Sequence, residues 1–347
     1  MAGMDTTNKI DWYRTPIDRE TLKGLTAKSD VKGFFQAGGF LLVYLALGAL
    51  AFWLFTIKLW IPMIISCYVF SMFTFFVSMA AAVHELSHGT AFRTKAYNEF
   101  FYNLFCFLTW NNPVHFRASH TFHHQLTVHR GLDKEVVLGP VREVLNWKHY
   151  IQWFTFDAEL FVHWVGIMVR QALGNGDAEY FFWDPLFSKD DPRRRQMINF
   201  ARVALIGHLV LLGLFIYFKL WVLIYLVNFG VFFAGFLGRA CGAIQHQGLS
   251  PSVPDWRLSC HTVKLGPVLR FLYWNMNFHV EHHMYAAVPF CNLERLHKAI
   301  EHDLPKQHVG LLPTLRLLWG IKKRQKLDPA YLFEPGFPPT AAPPKRS

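Results

Sequence analysis

The hydrophobic positions of this chain are gathered into long blocks, four of which approach or exceed the length of about 20 residues needed to cross a bilayer. They cover residues 34–57, 60–83, 198–218 and 220–244. The blocks pair into two hairpins with similar turns, Ile57-Lys58-Leu59-Trp60 and Phe218-Lys219-Leu220-Trp221. In each turn the Lys can snorkel and the Trp can lie at headgroup level. The shared Lys-Leu-Trp suggests a two-fold repeat of the hairpin. Two other apolar stretches are read differently. Residues 100–110 are too short to cross and are expected to be interfacial or re-entrant. Residues 150–169 carry Asp157, Glu159 and His163, which predicts a helix lying on the membrane surface.

The remaining segments are polar. Residues 1–33 form an N-terminal arm, and 34–330 form the membrane domain. Within that domain, 245–330 has a helical pattern punctuated by Pro251, Pro254, Pro289 and Pro313. Residues 331–347 end in FPPTAAPPKRS, a Pro-rich tail expected to be disordered. The expected fold is an all-α integral membrane protein with four transmembrane helices in two hairpins and a cytosolic helical cap. Trp60 to His84 would span about 36 Å of helix and Trp221 to His246 about 37 Å. Both exceed a hydrocarbon core of about 30 Å, so helices two and four should each deliver a histidine beyond the same membrane face.

Charge supports this orientation. The net charge of +11 could suggest nucleic acid, but only Lys58 and Lys219 fall in the short turns, and Arg202 and Arg239 lie near block ends. The rest lie in the N-terminal arm, the 89–197 segment and the C-terminal third. That asymmetry follows the positive-inside rule, with termini and basic segments cytosolic and facing anionic lipid, and no nucleic acid expected. Hydrophobic residues make up 52% and charged residues only 17%, against about a quarter in soluble domains. Five cysteines without a CxxC make neither a disulfide framework nor a thiolate metal site. The first thirty residues carry mixed charge and no apolar core, so no cleavable signal peptide is expected.

Three histidine clusters stand out. They are His84-Glu85-Leu86-Ser87-His88, His120-Thr121-Phe122-His123-His124 and His279-Val280-Glu281-His282-His283. They hold eight of the 18 histidines, where uniform scatter would place about one. On a helix, positions three or four apart share a face, so each cluster can aim two or three imidazoles at one point. The expected topology puts all three clusters in one compartment. Imidazole is a common ligand for Zn, Cu, Fe and Ni, and eight are too many for one ion, so two ions are the simple solution. His246, at the end of helix four, is a ninth candidate ligand. Glu85, Asp133 and Glu281 are candidate acceptors for the ligands' other N–H groups. His115 and His129 flank the second cluster and could support it. His149, His163, His261, His297, His302 and His308 are expected at the surface, and His208 in helix packing.

The clusters read HxxxH, HxxHH and HxxHH, with about 30 residues between the first two and about 150 before the third. This pattern resembles the membrane fatty acid desaturase and hydroxylase family over roughly residues 34–300. Supporting context is Phe116-Arg117 before the second cluster, and Asn277-Phe278 opening the third. Val288-Pro289-Phe290 and Leu293 follow the third, and Ile244-Gln245-His246 matches the family's extra ligand. The resemblance implies four transmembrane helices, a di-iron centre ligated by the nine histidines with Arg117 nearby, and O2-dependent attack on an unactivated C–H bond. It also implies a membrane lipid or other hydrophobic substrate, in the endoplasmic reticulum or the bacterial inner membrane. Some relatives carry an Asn one helical turn before the extra histidine, where this chain has Gly242. The haem motif of a fused cytochrome b5 domain is absent, so a separate donor is expected, cytochrome b5 or ferredoxin with its reductase.

Desaturation of a lipid or fatty-acyl chain is the first reading and hydroxylation the second. The first cluster also matches HExxH, the zinc-protease motif, but one zinc would leave six clustered histidines unexplained. A non-enzymatic metal-binding membrane receptor would explain ligation without turnover. A bis-histidine haem protein fits poorly, because imidazoles four apart on one helix cannot reach both faces of a haem.

Overall fold

The computed structural model describes residues 9–136, 147–175 and 186–346, and these are mostly helical. Three helices are long and apolar enough to cross a membrane: Asp30–Thr56, Trp60–Ser87 and Pro192–Tyr217. Each starts or ends for a local reason. Ser29 accepts a hydrogen bond from the Lys32 amide ahead of the first. Asp191 caps the third, with Pro192 opening its first turn.

The two hairpin turns are the same structure. Lys58 and Lys219 both take positive φ, 59° and 57°. The Leu59 amide bonds the Leu54 carbonyl at 3.0 Å, and the Leu220 amide bonds the Phe215 carbonyl at 2.8 Å. Lys58 bonds Phe55 and Lys219 bonds Ile216 in the same way. Both helices therefore end in the same left-handed cap, with Lys where Gly is usual. The repeat suggested by three residues is real at the level of backbone geometry.

The fourth expected span, 220–244, is not one helix. A shorter apolar helix, Trp221–Phe232, ends in π and 3-10 turns. Residues 233–235 then leave helical geometry, with Ala234 at φ 51°, and a second helix runs Phe236–Ala243. The break is held from outside the segment. The Asp157 amide donates to the Phe232 carbonyl at 2.8 Å, and the Ala234 amide donates to the Thr155 carbonyl at 3.2 Å. Non-helical backbone within an apolar segment needs protein partners for its polar groups, and Thr155 and Asp157 supply two. Close packing adds a second cause. A Cβ at Gly238 would lie 2.4 Å from the Phe75 ring, so only glycine lets these segments meet.

The second span is also interrupted. Its regular part is Trp60–Val77, Ser78 is extended, and Ala82–Ser87 resumes the helix. The predicted surface helix is likewise two helices, Trp147–Phe154 and Ala158–Ala172. Asp157 ends the gap between them by accepting from the Leu160 amide and pairing with Arg239. The polar segment 245–330 is helical as expected, with one short parallel pair, Val263–Lys264 on His308–Val309.

The Pro-rich tail departs from expectation. It has no regular secondary structure, yet it is held along its length. Phe333 donates to the Gly248 carbonyl, and the Gly336 carbonyl accepts from Lys306. Further on, the tail meets a fully buried guanidinium. Arg257 is 0% exposed and bonds Asp255 and Asp303 at 2.7 Å each. Its Nη1 also donates to the Ala342 carbonyl, and the Lys345 amide donates to Asp255. From the N-terminal arm, Tyr13 donates to Asp303 at 2.8 Å and lies under the guanidinium, 3.8 Å from its ring centroid. Proline content argued for disorder, but the Gly336, Ala342 and Pro343 carbonyls accept hydrogen bonds from the folded body.

Removing one partner of a buried charge cluster leaves the others unpaired. Arg257→Met should therefore cost about 3–5 kcal/mol and loosen both termini. Thermal unfolding and limited proteolysis of the variant check this; unchanged melting and an uncut tail would contradict it.

Candidate metal centre

Each histidine cluster lies on or beside a short helix whose placement is fixed by neighbouring side chains. His84 is on Ala82–Ser87 with His88 at its end, and Asn98 holds that helix by donating to the Leu86 carbonyl at 2.9 Å. His120, His123 and His124 are on Pro113–Leu126, capped by the Asn112 side chain, which accepts from the Val114 and His115 amides. Arg117 ties the two helices by donating to the Ser87 carbonyl at 3.0 Å, and it pairs with Glu99 at 2.8 Å. His279, His282 and His283 are on His279–Met284. His246 lies in the turn after Phe236–Ala243.

The clusters interleave into two groups that could each hold a metal ion. One is His84, His88, His120, His124 and His282; the other contains His246, His279 and His283 together with Cys260. In the first, Nε2 of His120 lies 3.1 Å from those of both His88 and His124, and His84 lies 3.1 Å from His282. In the second, Nε2 of His279 lies 2.9 Å from that of His246 and 3.1 Å from that of His283. An ion with metal–nitrogen bonds of about 2.1 Å holds two nitrogens at right angles about 3.0 Å apart. The observed spacing is that of ligands around an ion.

The opposite ring nitrogens show which Nε2 atoms carry lone pairs. Nδ1–H of His246 donates to the Ser259 carbonyl at 2.9 Å. Nδ1–H of His283 donates to the Thr127 hydroxyl at 3.1 Å, whose own proton goes to the His123 carbonyl. Nδ1 of His123 meets Asp133 at 2.8 Å, and Nδ1 of His120 meets Glu135 at 2.7 Å. For His246, His283 and His120 this leaves Nε2 unprotonated and turned toward the neighbouring imidazoles, the tautomer that ligates metal. Unprotonated nitrogens at 3 Å repel, and a cation between them removes the repulsion.

His123 and Cys260 exchange the roles that simple proximity suggests. Cys260 Sγ lies 3.6 Å from His246 Nδ1, behind the ring relative to His279. The His123 ring stands 5.2 Å from His246 and 4.9 Å from His283, centroid to centroid, with Nδ1 taken by Asp133. The geometry thus favours His123 as the fourth imidazole of the second group.

Burial makes the imidazoles neutral. His120, His124, His279, His282 and His283 have pKa values well below the usual 6.5, first from burial and then from one another. His123 is the exception: burial opposes its charging, but Asp133 outweighs it and raises the pKa. Burial also pushes Glu135 up to about 7.

The expected supporting residues divide. Asp133 holds His123, and a Glu85 oxygen lies 3.2 Å from His282 Nδ1. Glu281 turns away and bonds Thr262 and His297 instead, so it holds no clustered histidine. Arg117 positions backbone. His297 and His261 are largely buried, His261 at 4% exposure, contrary to the surface reading. His208 packs as expected, 3.9 Å from the Trp110 ring centroid and donor to the Phe107 carbonyl at 3.0 Å. His149 falls among residues whose side chains are outside the description. Glu135 and Thr127 were missed; Glu135 lies 15 residues from the histidine it holds, and no helical spacing announces such a contact.

A cavity of about 330 Å³ is lined by Phe75, Ser78, Met79, Leu160, Trp164 and Phe232 among others. A smaller space adjoins it, sharing Met79, His163 and Trp164, and reaches Phe116, Ser119 and Glu135. Phe116 stacks on His120 at 5.3 Å, so apolar space leads to the side of the first group.

Residues 58–314 match the family model described as fatty acid desaturase. The match covers more than half of the chain and includes all nine histidines. The chain belongs to the fatty acid desaturase family. Membership implies an oxidoreductase, and with the apolar helices it identifies a membrane protein. No curated protein matches the chain closely enough for comparison.

Two outcomes follow for this desaturase-family centre. His123→Ala should lose about half the bound metal, Cys260→Ala should keep it, and Glu135→Ala should weaken affinity about 10–100-fold. Elemental analysis distinguishes them; metal loss in Cys260→Ala alone would reverse the assignment. The metal-free protein should lose stability as pH falls below about 6.5, because the unfolded chain then binds protons that the depressed imidazoles refuse. The loss is on the order of 1 kcal/mol per pH unit for each imidazole that stays neutral. A melting temperature flat from pH 7 to 5 would contradict it.

Proposed function

We propose that the chain uses two iron ions to oxidise an unactivated C–H bond in a lipid or fatty-acyl chain, by desaturation. The observation that carries this reading is the convergence of two imidazole groups beside apolar space. His84, His88, His120, His124 and His282 would hold one ion, and His123, His246, His279 and His283 the other. The ligand set alone suits several metals, and the family supports iron. When bound, the pair supplies O2 activation with two electrons delivered from a separate donor, cytochrome b5 or ferredoxin with its reductase.

The protein's residues do the rest. Asp133 and Glu135 fix ring orientation and offset charge that imidazoles leave uncompensated. Met79, Trp110, Phe116 and Trp164 wall the apolar space, where a chain can lie with water excluded. Removing two hydrogens as an alkene forms consumes O2, two electrons and two protons and releases two waters. Inserting one oxygen atom to give an alcohol consumes the same and releases one water. Desaturation leads because the family match carries that description; hydroxylation is the alternative on the same residues. A single-zinc protease would leave most of these imidazoles without a role.

We further infer that Trp221–Phe232 with Phe236–Ala243 serves as the fourth span. The termini, the polar segments and the imidazoles then share the cytosolic side, in the endoplasmic reticulum or a bacterial inner membrane. Lysines at the two turns face the other way and are few, as the charge rule requires.

Expression in a lipid-producing host, followed by mass spectrometry, should reveal a product lacking two hydrogens. A gain of one oxygen would indicate the hydroxylase. Replacing His84, His120, His124, His279 or His283 with Ala should abolish product and lower bound iron. Full activity with normal iron in any of these variants would overturn the assignment.

A further inference from the structure

The Leu311–Leu327 helix takes no part in the metal centre, and one of its faces is fully used. Leu311, Thr314, Leu318 and Ile321 are buried, in a cluster that includes Cys241 and Ile244. Gly248 packs so closely that a Cβ there would lie 2.8 Å from Ile321. The other face is bare. Leu312, Arg316, Trp319, Lys323 and Lys326 follow one another at helical spacing, and all are exposed. Leu312 is 67% exposed and Trp319 44%. The helix carries Arg316, Lys322, Lys323, Arg324 and Lys326 and no acidic residue. Lys323 Nζ stands 5.8 Å over the Trp319 ring.

A water-facing helix normally mixes both signs of charge and few large apolar groups. Leu and Trp interleaved with cations of one sign is instead the make-up of a helix lying among lipid headgroups. Its location agrees. The Gly310 amide at its start bonds the Lys264 carbonyl at 2.9 Å. That segment leads into Pro267–Leu272, and the Gln36 side chain of the first apolar helix donates to the Phe271 carbonyl at 2.7 Å. The buried face meets the end of the fourth apolar segment. The helix is therefore tied, directly or through one segment, to the ends of two apolar helices, and Phe35 and Val268 on the linked segments are exposed. The family match stops at residue 314, so most of this helix lies outside it.

We propose that Leu311–Leu327 docks on an anionic bilayer surface, with Leu312 and Trp319 in the interface and Arg316, Lys323 and Lys326 on lipid phosphates. The proposal rests on the membrane placement and is independent of the oxidation chemistry.

The full-length protein, loaded with metal, is reconstituted in nanodiscs of phosphatidylcholine alone or mixed with phosphatidylglycerol. Phosphatidylglycerol should raise the melting temperature of the wild type, and added salt should reverse the gain. The triple variant Arg316→Glu/Lys323→Glu/Lys326→Glu should melt like wild type in phosphatidylcholine and lose the phosphatidylglycerol gain. Brominated lipid should quench a fluorescence component that Trp319→Phe removes. An equal gain in wild type and triple variant, no gain in wild type, or quenching unchanged in Trp319→Phe would each overturn the proposal. If the variant keeps the lipid gain but loses turnover with a donor protein, the face is a protein-docking surface and the proposal fails.

Discussion

The structure depends on one electrostatic constraint: buried, neutral imidazoles hold their Nε2 atoms about 3 Å apart with lone pairs inward. No arrangement of protons among them satisfies every contact, because His120 Nε2 faces two others at once. A cation resolves the conflict, and the surroundings are built to keep the lone pairs available. A backbone carbonyl, a threonine hydroxyl and two carboxylates take the Nδ1 protons of His246, His283, His123 and His120. The carboxylates come from one loop, Asp133 and Glu135. The second cluster and the loop after it, residues 120–135, thus bring together imidazoles that face both groups and the carboxylates that orient them. The clusters do not each make one site. The first cluster serves one group only, whereas the third divides, with His282 in the first group and His279 and His283 in the second.

Much of this was legible in the sequence. The histidine spacing selected the eight clustered imidazoles because periodicity on a helix is a local property, and the end of the fourth apolar block added His246. The apolar blocks found the first hairpin and the third span for the same reason. What spacing could not show is contact at a distance. Glu281 looked as well placed as Glu85, being inside a cluster, yet it faces Thr262 and His297. Position inside a cluster does not decide what a carboxylate meets, since Glu85 lies beside His282 of another cluster. Glu135 lay outside every motif. The same limit applies to the tail, where proline content is a statement about the chain alone. Arg257, buried between two carboxylates, donates to the Ala342 carbonyl, and Asp255 accepts from the Lys345 amide; no local pattern predicts either contact.

The hairpin turns show the opposite case, where little sequence carried firm geometry. Three shared residues are weak evidence of a repeat, but a helix end followed at once by another helix has few backbone solutions. A left-handed residue that lets the sixth amide reach the first carbonyl and the fifth amide the second is one of them. Lys adopts it twice, at φ 59° and 57°, accepting some backbone strain.

The two interrupted spans are the least legible feature and have a common consequence. Hydropathy reads 60–83 and 220–244 as uniform because the breaks fall at small residues inside apolar runs. Ser78 at one break and Phe232 at the edge of the other both line the larger cavity. Phe75, whose ring fills the space left by Gly235 and Gly238, lines it too. Two unbroken helices packed side by side would close that volume. The break at 233–235 draws in the backbone of Thr155 and Asp157, which brings Leu160 and Trp164 to form the opposite wall. Irregular backbone in these two apolar segments therefore does two things here. It turns each chain toward its histidines, and it opens the apolar space that leads to them.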